Sequence, residues 1–232
     1  VGDFPQDEVI AVLAEGVQNG KEKYDVGVRF IPDIARHVPE TRFDVLDFIL
    51  KGYEKGIFIG LGLGGPEVGF PPAPFADVYD EARRQGLHLV VHAGETVGPE
   101  SIWGAIRDLK AERIGHGVRA VEDESLLAYL KEHQIPLEVC PMSNYRLKVT
   151  PIDQPHQIRR LVDAGVYCTV NSDDPPMFST DLNTEYLLLA AQGFSWEELW
   201  QLSVNALEAS FLPEEEKAAY RVTWAEFLEK QG

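Results

Sequence analysis

His92 and Glu95 stand three residues apart in HAGE, directly after the apolar run HLVV. At a strand end both can project into one mouth. A neutral imidazole suits Zn²⁺, and a carboxylate beside a metal can trade protons. The same residues also read as a core histidine followed by a solvent-facing glutamate. In RIGHG, His116 lies between two glycines that admit close approach of backbone or ligand. A single histidine of this kind is more often structural, yet it ends the next strand-like run after HAGE. NSDDP holds adjacent carboxylates, Asp173 and Asp174, which repel unless a cation or a shared proton relieves them. A helix N-cap or turn opened by Asp-Pro accounts for one of them. A metal for the first and a substrate donor for the second would account for both. LEVCPMSN (137–144) leads from an apolar run into a polar loop. Its Cys140 reads as a small core residue, because a reactive thiol needs an electropositive, accessible setting.

The elements that must carry these residues alternate. Short apolar runs at 25–31, 57–61, 89–92, 113–116, 137–140 and 167–171 are continuous rather than alternating, the pattern of strands buried on both faces of a parallel sheet. Helical patterns lie between them at 7–19, 43–55, 75–85, 100–109, 123–133 and 157–164, several ending at Gly20, Gly56, Gly86 or Gly165. Three more follow at 181–192, 195–209 and 213–230 without intervening strands. This is an α/β chain. His92, Gly94, Glu95, His116, Pro141, Asn144, Asn171, Asp173 and Asp174 all fall at or just past strand ends. Polar residues gathered from several strand ends on one rim predict a (β/α)₈ TIM barrel. A doubly wound sheet would concentrate its ligands at one switch point, and GLGLGGPEVG (60–69) has no well-spaced G-x-G-x-x-G opening onto a helix. A closed barrel of this class has eight strands. Six runs therefore predict a single domain over 1–232 that lacks the first two.

Composition narrows the class. Lys plus Arg number 21 against 38 Asp plus Glu, a net charge of −17, which argues against a nucleic-acid surface. Apolar residues make up 44 %, enough for a sizeable core, without any run long enough to span a membrane. The opening VGDFPQDEVIAVLAEG lacks the basic and cleavage regions of a signal peptide. The two cysteines, Cys140 and Cys168, both fall in apolar runs, so the expected setting is the reducing cytoplasm.

HAGE, RIGHG, EVCP-x-SN and NSDDP, in this order and at successive strand ends, resemble the adenosine deaminase family across essentially the whole chain. The opening helix and VRFIPDIARH resemble the segment around that family's third strand. The resemblance implies a mononuclear Zn²⁺ site. It implies His92 and Asp173 as metal ligands, and Glu95 as the neutral acid that protonates purine N1. His116 would orient or deprotonate the metal-bound water, Asp174 would bond N7, and the Gly65 backbone would donate to N3. The reaction implied is hydrolytic deamination of a 6-aminopurine nucleoside, adenosine or deoxyadenosine. Adenine, AMP, a larger adenosine-like nucleoside and a non-catalytic relative of the same fold are the alternatives.

One departure stands out. The family carries two further metal histidines in an H-x-H on its first strand. This sequence has none, its histidines being His37, His88, His92, His116, His133 and His156. Those ligands are expected from an N-terminal segment of the same barrel. An amidohydrolase-like barrel using a carboxylated lysine is disfavoured because no lysine ends a strand in the required sector. The zinc deaminases with H-x-E…P-C-x-x-C are disfavoured because that signature is absent. Part of any nucleoside wall is expected from VGFPPAPF (68–75), apolar and stiffened by prolines.

Overall fold

The computed structural model describes residues 4–231. Residues 1–3 of the opening stretch read above lie outside that range. The chain forms two compact units, Val1–Gly115 and His116–Gly232.

In the first unit, helix α1 (Gln6–Tyr24) is followed by β1 (Asp33–Ala35), α2 (Arg42–Glu54), β2 (Gly60–Gly64), α3 (Ala76–Arg84), β3 (His88–Ala93) and α4 (Pro99–Arg107). β1 pairs in parallel with β2, placing Asp33 beside Gly62 and Ala35 beside Gly64. β2 pairs in parallel with β3, placing Gly60 beside His88. Ile34, Leu61, Leu63, Leu89 and Val91 are essentially sealed from solvent, as are Ile49, Val78, Tyr79 and Ile102 on the covering helices. Each such side chain stabilises the fold by about 1.5–3 kcal/mol.

Two strands lie later than their hydrophobic runs suggest. The expected strand at 25–31 contributes one bridge, Phe30 to Phe58, while Val26 and Val28 are exposed. Pro32 explains the break. It accepts from the Gly62 N–H at 2.9 Å but has no N–H to return, so the regular strand begins at Asp33. The strand expected at 57–61 instead occupies Gly60–Gly64. It alternates cleanly. Leu61 and Leu63 face the core, and the glycines leave the other face bare. A β-carbon at Gly62 or Gly64 would overlap the Asp33 carboxylate, and one at Gly60 would lie 2.6 Å from the His88 carbonyl oxygen.

β4 (Arg113–His116) follows the sequence reading to the residue. In the first unit its lead-in is set by Glu112, whose N–H donates to the Leu89 carbonyl at 2.8 Å. The second unit continues through α5 (Glu124–His133), β5 (Leu137–Val139), α6 (Pro141–Arg146), α7 (Ile158–Asp163) and β6 (Cys168–Val170). It ends with α8 (Pro175–Phe178), α9 (Leu182–Ala191), α10 (Trp196–Ala209) and α11 (Glu214–Gln231). β5 and β6 pair in parallel, Leu137 beside Cys168 and Val139 beside Val170. The short helices α6 and α8 have no apolar period to announce them. Each starts on proline in the segment that follows a strand. Gly56, Gly86 and Gly165 take the left-handed conformation expected of helix-ending glycines, with φ of 70°, 84° and 79°. Gly20 does not end a helix, because α1 runs on to Tyr24. Among the described residues no helix is long and apolar enough to cross a membrane.

Candidate active site

Each unit gathers a histidine and carboxylates at its strand ends. In the first unit, His92 lies near the end of β3 with its Nε2 3.7 Å from Asp33 Oδ2. The glycines of β2 make this pair sterically feasible, since the Asp33 carboxylate occupies the space that side chains at positions 62 and 64 would fill. Gly115 allows the His92 ring its place on the other side. A β-carbon there would come within 3.3 Å of the His92 Cα and Cδ2.

Behind this pair lie two buried charged residues, Arg36 and Glu67. Arg36 is completely buried and donates through one terminal nitrogen to the Phe70 carbonyl at 2.9 Å and through the other to the His92 carbonyl. Its Nε makes no hydrogen bond among the described residues. Burial lowers the Arg36 pKa, and the charges of Glu67, Tyr79 and Asp33 push it back up. Glu67, 5 % exposed, accepts from the Glu95 N–H at 3.3 Å and the Val97 N–H at 2.7 Å. The loop carrying Glu95 is therefore fastened by its backbone, which leaves the Glu95 side chain half-buried. Gly65, at the exit of β2, has φ +92°. A side chain there would be strained and would approach His37 Nδ1 to 3.4 Å.

In the second unit, His116 and Asp173 both adopt left-handed backbone conformations, φ 63° and 55°. Non-glycine residues rarely do so, and such conformations cluster where surrounding structure holds a side chain for function. His116 is 2 % exposed, and its Nε2 lies 3.9 Å from Asp173 Oδ2. Ser143 Oγ donates to that same oxygen at 2.7 Å. On the far side of the imidazole, Nδ1 lies 3.5 Å from Asn144 Nδ2. Ser143 and Asn144 reach the two residues because α6 starts on Pro141 as soon as β5 ends. Asp174 Oδ1 accepts from the Met177 N–H at 3.0 Å and caps α8. The cap reading holds for Asp174, and Asp173 is turned to other partners.

Donor chemistry fits a borderline cation. A nitrogen of His116, the sulfur of Cys140 and an oxygen of Asp173 lie within 4.8 Å of one another, and N, O and S donors are those that hold zinc. The His92–Asp33 pair offers the same N and O types. Cys140 also donates to the Glu138 carbonyl at 3.5 Å and is 6 % exposed, a thiol bonded as a core residue.

Sequence reasoning missed Asp33, Arg36, Glu67, Ser143 and His156. A strand placed at 33–35 would have put Arg36 and His37 just past a strand end, in line with the other site residues. Ser143 had only its place in the loop after β5 to mark it.

A sequence model of the adenosine deaminase family matches residues 2–223. The chain is 42 % identical over 217 residues to an adenosine deaminase of Klebsiella pneumoniae, covering 93 % of this chain and 65 % of that protein. It is 51 % identical over 162 residues to an aminodeoxyfutalosine deaminase of Streptomyces avermitilis, covering 69 % of this chain and 45 % of that protein. The chain thus spans about two thirds or less of these relatives' lengths. The crystal structure of an amidohydrolase from Burkholderia ambifaria with bound zinc superposes with a TM-score of 0.92 at 26 % identity, over 98 % of this chain and 64 % of that one. The α/β fold is that of the amidohydrolase-type barrels, as the strand ends predict.

Proposed function

The chain belongs to the adenosine deaminase family, and from that premise we propose that the protein hydrolytically deaminates a 6-aminopurine nucleoside. The product is the 6-oxo purine plus ammonia, with adenosine or 2′-deoxyadenosine as the substrate first in line. The roles assigned residue by residue are His92 and Asp173 as ligands of one Zn²⁺, Glu95 and His116 as catalytic residues, and Asp174 and Gly65 as purine contacts. When bound, the metal supplies a Lewis acid that makes water reactive near neutral pH.

The chain's own residues do the rest. Glu95 enters neutral and holds its proton at N1, so that the ring can accept charge while C6 is attacked. His116 orients the attacking water or takes its proton. Asp174 is the hydrogen-bond partner of N7, and the Gly65 N–H donates to N3. The observation that carries this reading is the pairing of His116 and Asp173, two strand-end residues held at left-handed φ and brought to 3.9 Å. Two buried cysteines outside any disulfide, with burial raising the Cys168 thiol to about 12, support a reducing, cytoplasmic setting.

A second reading keeps the chemistry and changes the N9 substituent, because the relative named for aminodeoxyfutalosine has the higher identity over the residues it matches. A panel of adenosine, deoxyadenosine, adenine, AMP and aminodeoxyfutalosine, followed by loss of the 6-amino ultraviolet band with and without chelator, decides both points. Turnover that survives complete metal removal, or no turnover of any panel member, overturns the proposal.

A further inference from the structure

One chain of buried polar contacts behind His116 has its direction set by a single group whose role is not adjustable. The Ile158 backbone N–H points at His156 Nδ1 at 3.1 Å, and an amide N–H can only donate. Nδ1 of His156 is therefore an acceptor, and its neutral ring carries the proton on Nε2. That nitrogen lies 3.1 Å from Asn144 Oδ1, to which it donates. With its oxygen so engaged, Asn144 presents Nδ2, again only a donor, to His116 Nδ1 at 3.5 Å.

We propose that His156 and Asn144 are positioning residues that fix the tautomer of His116, placing its ring proton on Nε2, the nitrogen facing Asp173. The inference rests on the reading of His116 as a catalytic residue and sharpens it. An Nε2–H cannot accept a proton, so His116 holds and orients the attacking water by donation.

The surroundings keep the relay in register. Asn144 and His156 are 0 % and 1 % exposed. Gln192 Oε1 accepts from the His156 backbone N–H at 3.0 Å, and Gln192 Nε2 donates to Tyr145 Oη at 2.9 Å. The Tyr145 ring packs edge-on against His156 at 5.5 Å. Burial holds His156 neutral by lowering its pKa to about 4. The relay needs this neutral form, because a protonated Nδ1 would oppose the Ile158 N–H.

The test is long-range ¹H–¹⁵N correlation on the full-length, zinc-loaded protein labelled at histidine nitrogens, read alongside kcat and KM. The expected result is a His116 spectrum with a protonated Nε2 and a bare Nδ1. Asn144→Asp replaces the donor to Nδ1 with an acceptor. It should move the proton to Nδ1 and lower kcat about 10–100-fold, the usual cost of losing an orienting partner, with KM little changed. A wild-type His116 protonated at Nδ1 overturns the inference without need of any variant, as does an Asn144→Asp spectrum unchanged from wild type. If the spectra are as expected but no 6-aminopurine is turned over, the functional reading fails and the tautomer assignment stands.

Discussion

Ser143 donates its hydroxyl hydrogen to Asp173 Oδ2 at 2.7 Å, the same oxygen that faces His116 Nε2 at 3.9 Å. Ser143 is fully buried, so its hydroxyl has no water to turn to, and the bond sets which way the Asp173 carboxylate faces. Ser143→Ala should destabilise the protein by about 0.5–1.5 kcal/mol, the net scale of one intramolecular hydrogen bond. Bound zinc should also become easier to strip. Urea titration and a competitive chelator assay check the two halves of this expectation separately.

Asp33 sits in the space that β2 leaves open. Gly62→Ala should cost about 1–3 kcal/mol, the usual penalty of overpacking, because the new methyl group takes the position of the Asp33 carboxylate. Adding Asp33→Gly to Gly62→Ala should recover part of that loss. A double-mutant cycle on denaturation midpoints reads the coupling directly. Strict additivity would show that the two positions do not compete for one volume.

Glu67 holds the backbone on either side of Thr96 and lies among the charges that offset the burial of Arg36. Glu67→Gln keeps the shape but removes a charge opposite a buried guanidinium. It also turns an NH₂ group towards one of two N–H donors. The expected loss is about 1–3 kcal/mol, the scale of leaving a buried donor without its partner. Faster amide exchange at Glu95 and Val97 than in the wild type checks that the loop has come loose.

His156 links folding to pH. Burial lowers its folded-state pKa from 6.5 to about 4, so between those values the unfolded chain binds the extra proton. Stability from this group is fully present above pH 6.5 and is lost as pH falls towards 4, by about 3 kcal/mol in all. His156→Gln should flatten the dependence of the denaturation midpoint on pH across that window. An unchanged slope would assign the dependence to other groups.

Much of this arrangement is legible in the linear sequence where chemistry and local structure coincide. β4 could be placed to the residue because RIGH stops at the glycine that follows His116. The strand ends at His92 and His116 follow from apolar runs that stop at a polar residue. Strand position failed at Pro32 and along the glycine run. There the deciding facts are a missing N–H and a carboxylate supplied by another strand, and no window of hydrophobicity contains either. The partners were hidden for a related reason. Asp173 meets a serine 30 residues earlier in the chain, and a lone histidine in DQPHQIRR gives no hint that its ring orders an asparagine. Asn144 stood out as polar at a strand end, but its role depends on which of its two amide atoms faces which neighbour.

The left-handed turn at Asp173 has an effect on its neighbour as well. Two successive acidic residues on an extended strand would point to opposite faces. At φ 55° the backbone swivels between them, so Asp173 is clasped by a serine hydroxyl while Asp174 closes the first turn of α8 through the Met177 N–H. Each carboxylate has a hydrogen-bond donor of its own. The mutual repulsion that an Asp-Asp pair threatens is thus answered by backbone geometry.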